Sequence, residues 1–138
     1  MIKIGPAGTG GSSEEGFELI KSENLDAVEV EFTYSVWMKK EDAIKIKKLN
    51  SKLNLQLSIH APYFVNLASK EKDKVSASKV RILKACEIGH YLGAKYIVFH
   101  AGFYQKQDKE MIYQMIKKEI LDMLKTIKLK KYNVVLAP

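Results

Sequence analysis

Apolar residues follow two alternating rhythms along the chain. Short runs of period two, or of continuous apolar character, lie at 2–4, 27–32, 55–60, 96–100 and 133–137. Between them, at 13–22, 41–53, 72–92 and 108–128, apolar positions recur every three or four residues. The first rhythm predicts extended strands and the second amphipathic helices. Ile46, Leu49 and Leu53 share one face of the second helical stretch, and Ile112, Met115, Ile116, Ile120, Met123 and Ile127 form a stripe along the fourth. Boundary residues agree. Ser12 or Ser13 can cap the first helix ahead of Glu14 and Glu15, Gly93 stands where the third must stop, and Asp108 can cap the fourth.

Strict β-α alternation predicts an α/β fold with a parallel sheet and right-handed crossovers. Side-chain parity narrows the architecture. Val28, Val30 and Phe32 fall on one strand face with Glu29 and Glu31 on the other, while Leu55, Leu57 and Ile59 oppose Gln56, Ser58 and His60. A doubly wound sheet is covered on both faces and reads as continuously apolar, whereas one polar face suits a closed barrel with helices outside and polar groups within. The expectation is therefore a parallel (β/α)8 TIM barrel. Such barrels take about 250 residues, so residues 1–138 are expected to be the amino-terminal part of a single barrel domain, with five of its strands. Inward parity runs through Val135 and Ala137 in the last strand, and the position after Pro138 would be the next to point inward. Two unpaired sheet edges predict self-association, with no other protein partner expected.

Composition changes this picture little. Apolar residues make up 46% and charged residues 28%, which is ordinary for a globular domain. The net charge is +7, and every basic residue except Arg81 is a lysine. That excess suits an anionic partner such as a nucleic acid backbone, or simply a solvated lysine-rich surface. A single cysteine, Cys86, excludes an internal disulfide and reads as a small buried hydrophobe. No apolar run approaches the roughly 20 residues of a membrane span. The expectation is a soluble cytoplasmic protein with no membrane partner.

Candidate chemistry lies where the strands end. Two of the three histidines, His60 and His100, close successive strand-like runs with the same parity, which turns both toward one interior from neighbouring strands. Imidazoles so placed can ligate a borderline metal such as zinc, or can be hydrogen-bonded structural groups. Glu31 can orient a histidine or add a ligand, and its alternative, like that of Glu29, is an ion pair with Lys3. The segment Gly5-Pro6-Ala7-Gly8-Thr9-Gly10-Gly11 can bring backbone amides to a phosphate, but it lacks the spacing and lysine of a P-loop and reads equally as a flexible loop. His90 is expected to cap the third helix or sit at the surface. Aromatic residues follow three strands, as Tyr34 and Trp37, Tyr63 and Phe64, and Phe103 and Tyr104. They can stack on bases or serve as lids.

Around these histidines, the segments His60-Ala61-Pro62-Tyr63-Phe64-Val65-Asn66-Leu67-Ala68 and Phe99-His100-Ala101-Gly102 resemble the amino-terminal half of the endonuclease IV family of apurinic/apyrimidinic endonucleases, within the xylose isomerase-like barrel superfamily. The resemblance implies a TIM barrel with a trinuclear zinc site that cleaves the phosphodiester 5′ to abasic sites in double-stranded DNA during base excision repair. It implies His60 and His100 as metal ligands and Tyr63 and Asn66 as DNA-binding residues. A third ligand, a glutamate, is implied beyond Pro138, so an incomplete site and little activity are expected of residues 1–138 alone. Two departures accompany the match. Gly5-Pro6 stands where many relatives carry Gly-Ala-His, and the loop 33–38 lacks the arginine that many insert into the duplex. Lys39, Lys40, Lys70 and Lys72 can contact phosphates near the mouth. A sugar-phosphate isomerase or epimerase of the same superfamily, with Glu31 as base, and a non-catalytic nucleic-acid-binding module are the alternative expectations.

Overall fold

The computed structural model describes residues 2–9, 14–104 and 106–138. Within them the elements alternate as α1 (Glu14–Ser22), β1 (Ala27–Glu31), α2 (Lys40–Leu53), β2 (Gln56–His60), α3 (Lys72–Leu92), β3 (Tyr96–Val98), α4 (Lys109–Leu129) and β4 (Val135–Ala137). Local chemistry explains the boundaries. Asp108 caps α4 by accepting the Met111 N–H at 2.9 Å. Gly93 ends α3 at φ 82°, and Asn54 ends α2 at φ 56°, both in the left-handed conformation. The proposed caps Ser12 and Ser13 lie outside the described residues.

All neighbouring strands pair in parallel, in the order β1-β2-β3-β4. A doubly wound sheet reverses its order at a switch point, whereas a barrel adds each strand beside the last. The observed order is that of part of a barrel. Val28, Val30, Leu57, Ile59 and Ile97 are buried beneath the helices with Phe17, Ile46, Ile82 and Ile88. Each such aliphatic side chain contributes roughly 1.5–3 kcal/mol on burial. On the other sheet face Glu29, Glu31, Gln56 and Ser58 remain half-buried, and the Ser58 hydroxyl donates to Glu29 Oε2 at 3.4 Å. The polar inner face expected from parity is present.

The expected first strand, 2–4, is not formed as a regular strand. Its segment runs beside β1 through a single bridge, Ala7 to Glu29, in which Glu29 N–H donates to Pro6 O and Gly8 N–H to Glu29 O. The next bridge toward the amino terminus requires the N–H of residue 6, and Pro6 has none. Ala27 N–H still reaches Ile4 O at 3.3 Å, but Ile2 and Ile4 are 87% and 67% exposed. Gly5 permits this approach, since a Cβ there would stand 1.6 Å from the Ala27 carbonyl oxygen.

Candidate metal and nucleic-acid site

His60 is the last residue of β2, opposite Glu31 of β1 and Val98 of β3. It is 8% exposed, one of few polar side chains in the buried set. Pairing continues one residue past it on each side, with Phe32 N–H donating to His60 O at 2.9 Å and Ala61 N–H to Val98 O at 2.8 Å. His100 lies two residues beyond β3 rather than at its end. There the backbone leaves the sheet, and Ala101 O accepts the Leu67 N–H at 2.8 Å instead of continuing the ladder. Parity survives the turn. The His60 and His100 rings are 5.2 Å apart between centroids.

Tyr63 completes a ring cluster, 4.8 Å from His60 and stacked on His100 at 5.6 Å. The Nδ1 of His60 lies 2.8 Å from Ala61 O, and because a carbonyl only accepts, Nδ1 is the protonated nitrogen of the neutral ring and Nε2 has the lone pair. That is the arrangement of a metal-ligating histidine whose second nitrogen is held by a backbone oxygen. Two imidazoles fit part of a zinc site, which needs three or four ligands. Among the described residues no group of three or more histidine, cysteine or acidic side chains comes together.

Glu31 faces His60 in register, yet the orienting partner of His60 is the Ala61 carbonyl. No ion pair joins Lys3 to Glu29 or Glu31 among the described residues. A Cβ on Gly8 would lie 3.7 Å from Glu31 Oε2, so this part of the glycine-rich loop backs onto a carboxylate, an unfavourable neighbour for a phosphate. Gly10 and Gly11 lie outside the described residues.

Asn66 is held by the fold. Its Oδ1 accepts the Ala68 N–H and its own N–H donates to the buried Ser78 hydroxyl, both at 3.0 Å. Beside it Tyr63, Phe64, Phe103 and Arg81 wall a cavity of about 800 Å³, and Arg81 donates to Phe64 O at 3.2 Å. Sequence reasoning missed Ser78 and Arg81, and gave Gly102 no role of its own. Tyr34 stacks on Phe64 at 6.0 Å, which joins the loops after β1 and β2.

The lysines divide. Lys70 and Lys72 line a lysine-rich cavity of about 430 Å³ with Ser69, Ser76, Lys118 and the paired Lys79 and Glu119. Lys40 sits over the Tyr91 ring at 4.3 Å, and side-chain hydrogen bonding to Tyr91 raises its pKa. His90 does not cap α3; its Nδ1 accepts the Asn133 N–H at 3.2 Å and so ties α3 to the approach to β4. Among the described residues no helix is long and apolar enough to cross a membrane.

Solved structures share this architecture. A D-tagatose 3-epimerase-like protein superposes with a TM-score of 0.76 at 18% identity, over 99% of this chain and 52% of that one. Endonuclease IV from Thermus thermophilus gives 0.69 at 17% identity, over 95% and 49%. At such identity the likeness establishes the fold alone. In sequence, an uncharacterized protein of Methanocaldococcus jannaschii is 36% identical over 141 aligned residues, covering 100% of this chain and 50% of that protein. A probable endonuclease 4 of Mesomycoplasma hyopneumoniae is 38% identical over 78 residues, covering 56% of this chain and 26% of that protein. The chain thus spans half the length of the first relative and about a quarter of the second. The model of the xylose isomerase-like TIM barrel family matches residues 17–138, which include both histidines and every regular strand, and the chain belongs to that family.

Proposed function

We propose that the chain carries part of the metal- and DNA-binding face of a zinc-dependent phosphodiesterase that acts 5′ to abasic sites in double-stranded DNA. One observation carries the reading: His60 and His100, brought within 5.2 Å from successive strands, share their mouth with a stacked, 43% exposed Tyr63. The partial similarity to a probable endonuclease 4 supports it.

In this reading the Nε2 of His60 and an imidazole nitrogen of His100 hold zinc. A bound zinc ion supplies Lewis acidity toward a phosphoryl oxygen. The carbonyl of Ala61 fixes the His60 tautomer, and Tyr63 offers a flat face to the gap left by the lost base. Asn66 Oδ1 is engaged with Ala68 N–H, so its Nδ2 is the group it offers to DNA. Lys70 and Lys72 supply screened attraction for the backbone.

Binding of zinc and of duplexes with and without an abasic site tests this on residues 1–138, and cleavage tests it on a chain extended to full barrel length. Expected are preference for the abasic duplex, reduced by Tyr63→Ala, and zinc binding lost in His60→Ala and His100→Ala. Equal affinity for both duplexes, with zinc binding unchanged in the histidine variants, would overturn it.

A sugar isomerase or epimerase is the second reading, favoured by the alignment of Glu31 beside His60 on the inner face. Turnover of a ketose by the extended chain, abolished by Glu31→Gln and accompanied by no DNA cleavage, would select it.

A further inference from the structure

We infer that Asn66 is a positioning residue that sets the spacing of the two histidine rings, and that Gly102 lacks a side chain to make room for it. His60 and Tyr63 belong to one segment, 60–68, and His100 to another, 98–102. Two backbone hydrogen bonds sew these together, Ala61 N–H to Val98 O and Leu67 N–H to Ala101 O, both at 2.8 Å. Asn66 lies at the second seam. Its Oδ1 turns the chain by accepting Ala68 N–H, and its own N–H is anchored on Ser78 Oγ, which is 2% exposed and donates in turn to Lys74 O at 2.7 Å. The residue is therefore fixed through both side chain and backbone.

Gly102 stands against that fixed oxygen. A Cβ at Gly102 would lie 2.9 Å from Asn66 Oδ1, while its next neighbours, Ile116 Cδ1 and Ala68 Cβ, would be at ordinary contact or slightly closer, 3.4 and 3.5 Å. The backbone of Gly102 is not in the left-handed region, so clearance and not conformation requires glycine. Any side chain there must displace either the Asn66 oxygen or the 98–102 segment. The second displacement moves His100 relative to His60, because Ala101 and His100 are adjacent residues. The two halves of the metal pair are thus spaced through a contact that involves neither histidine.

A double-mutant cycle on residues 1–138 tests this, with two readouts. The first needs no metal: ring-current shifts of the His60, Tyr63 and His100 side-chain protons report the cluster directly, as the rings lie 4.8–5.6 Å apart. Gly102→Ala should change these shifts strongly in the native background and little in an Asn66→Ala background, since the steric partner is then gone. The second is titration with zinc ions alone, which rests on the proposed ligand role of the histidines. Gly102→Ala should weaken binding about 10-fold in the native background and less than about twofold with Asn66→Ala. Ser78→Ala, which introduces no clash, should shift the same ring signals and keeps the test decisive if Gly102→Ala does not fold. Equal effects of Gly102→Ala in both backgrounds would overturn the inference. So would a lowered melting temperature with unchanged ring shifts. Ring shifts that follow the cycle without any zinc binding would leave the positioning role standing and remove the metal reading alone.

Discussion

His60 gives its Nδ1 proton to the carbonyl oxygen of Ala61, its own successor in the chain, across 2.8 Å. His90 does the reverse, its Nδ1 accepting the Asn133 N–H at 3.2 Å. The neutral forms of the two rings are therefore opposite tautomers. In long-range proton–nitrogen spectra recorded at about pH 8, above the usual histidine range, His60 is expected with an unprotonated Nε2 and His90 with an unprotonated Nδ1. Zinc should perturb His60 Nε2 and leave His90 untouched. An Nε2-protonated His60 would refute its assignment as a poised ligand.

Between α3 and α4, Lys79 pairs with Glu119 at 2.8 Å and with Asp122. Hydrogen bonds that Lys79 donates to Asp122 and Glu119 hold its ammonium above the ordinary range, and Lys79 holds the Asp122 carboxyl below the usual one. The lysine contribution is complete below its unfolded pKa and is lost as pH rises through the raised value. The aspartate contribution is present above its unfolded pKa and is lost as pH falls through the lowered one. Lys79→Met is thus expected to lower stability at neutral pH. In urea titrations that difference from the native chain should shrink toward both acid and strong base. A pH-independent difference would assign the loss to packing instead.

Cys86 is fully buried in α3, and desolvation pushes its thiol up to about 12. A thiol reagent should leave the native chain unmodified at neutral pH and react fully once it is unfolded. Cys86→Ser is expected to lower stability by about 1–3 kcal/mol through burial of a hydroxyl. Rapid modification of the folded chain would show that this part of the core opens.

At the other edge of the sheet, Gly5→Ala should drive the 4–8 segment from β1, because its Cβ would overlap the Ala27 carbonyl. Amide exchange is the direct measure. Protection of Gly8 and Glu29 should fall while that of Leu57 and Ile59 in β2 is kept, at an overall cost of about 1–3 kcal/mol. Unchanged protection of Glu29 would place the segment elsewhere.

Much of the fold was legible because it depends on near neighbours in sequence. The period of the α4 stripe foretold a helix whose Ile112, Met123 and Ile127 are buried, and alternation through Val28, Val30, Leu57 and Ile59 foretold the covered strand face. Glycine and aspartate at helix ends acted through their own turns. Where the expectation failed, a single atom decided: the Pro6 nitrogen removes the donor for a second bridge, although the hydrophobic pattern at 2–4 reads as a strand. Lys40 packs on Tyr91, from a helix whose sequence carries no trace of that contact.

Sequence alone determined the kind and order of the elements, the inward parity of His60 and His100, and the placing of aromatic residues after the strands. Each of these follows from the geometry of a strand or helix, which repeats over a few residues. The tertiary structure decided the 5.2 Å between the two rings, the tautomer of His60, and the contact that makes Gly102 a space reserved for Asn66. Those depend on where a loop after β2 meets a loop after β3, and that meeting is set by packing and hydrogen bonds between residues some 35–40 positions apart, a scale on which local periodicity carries no signal.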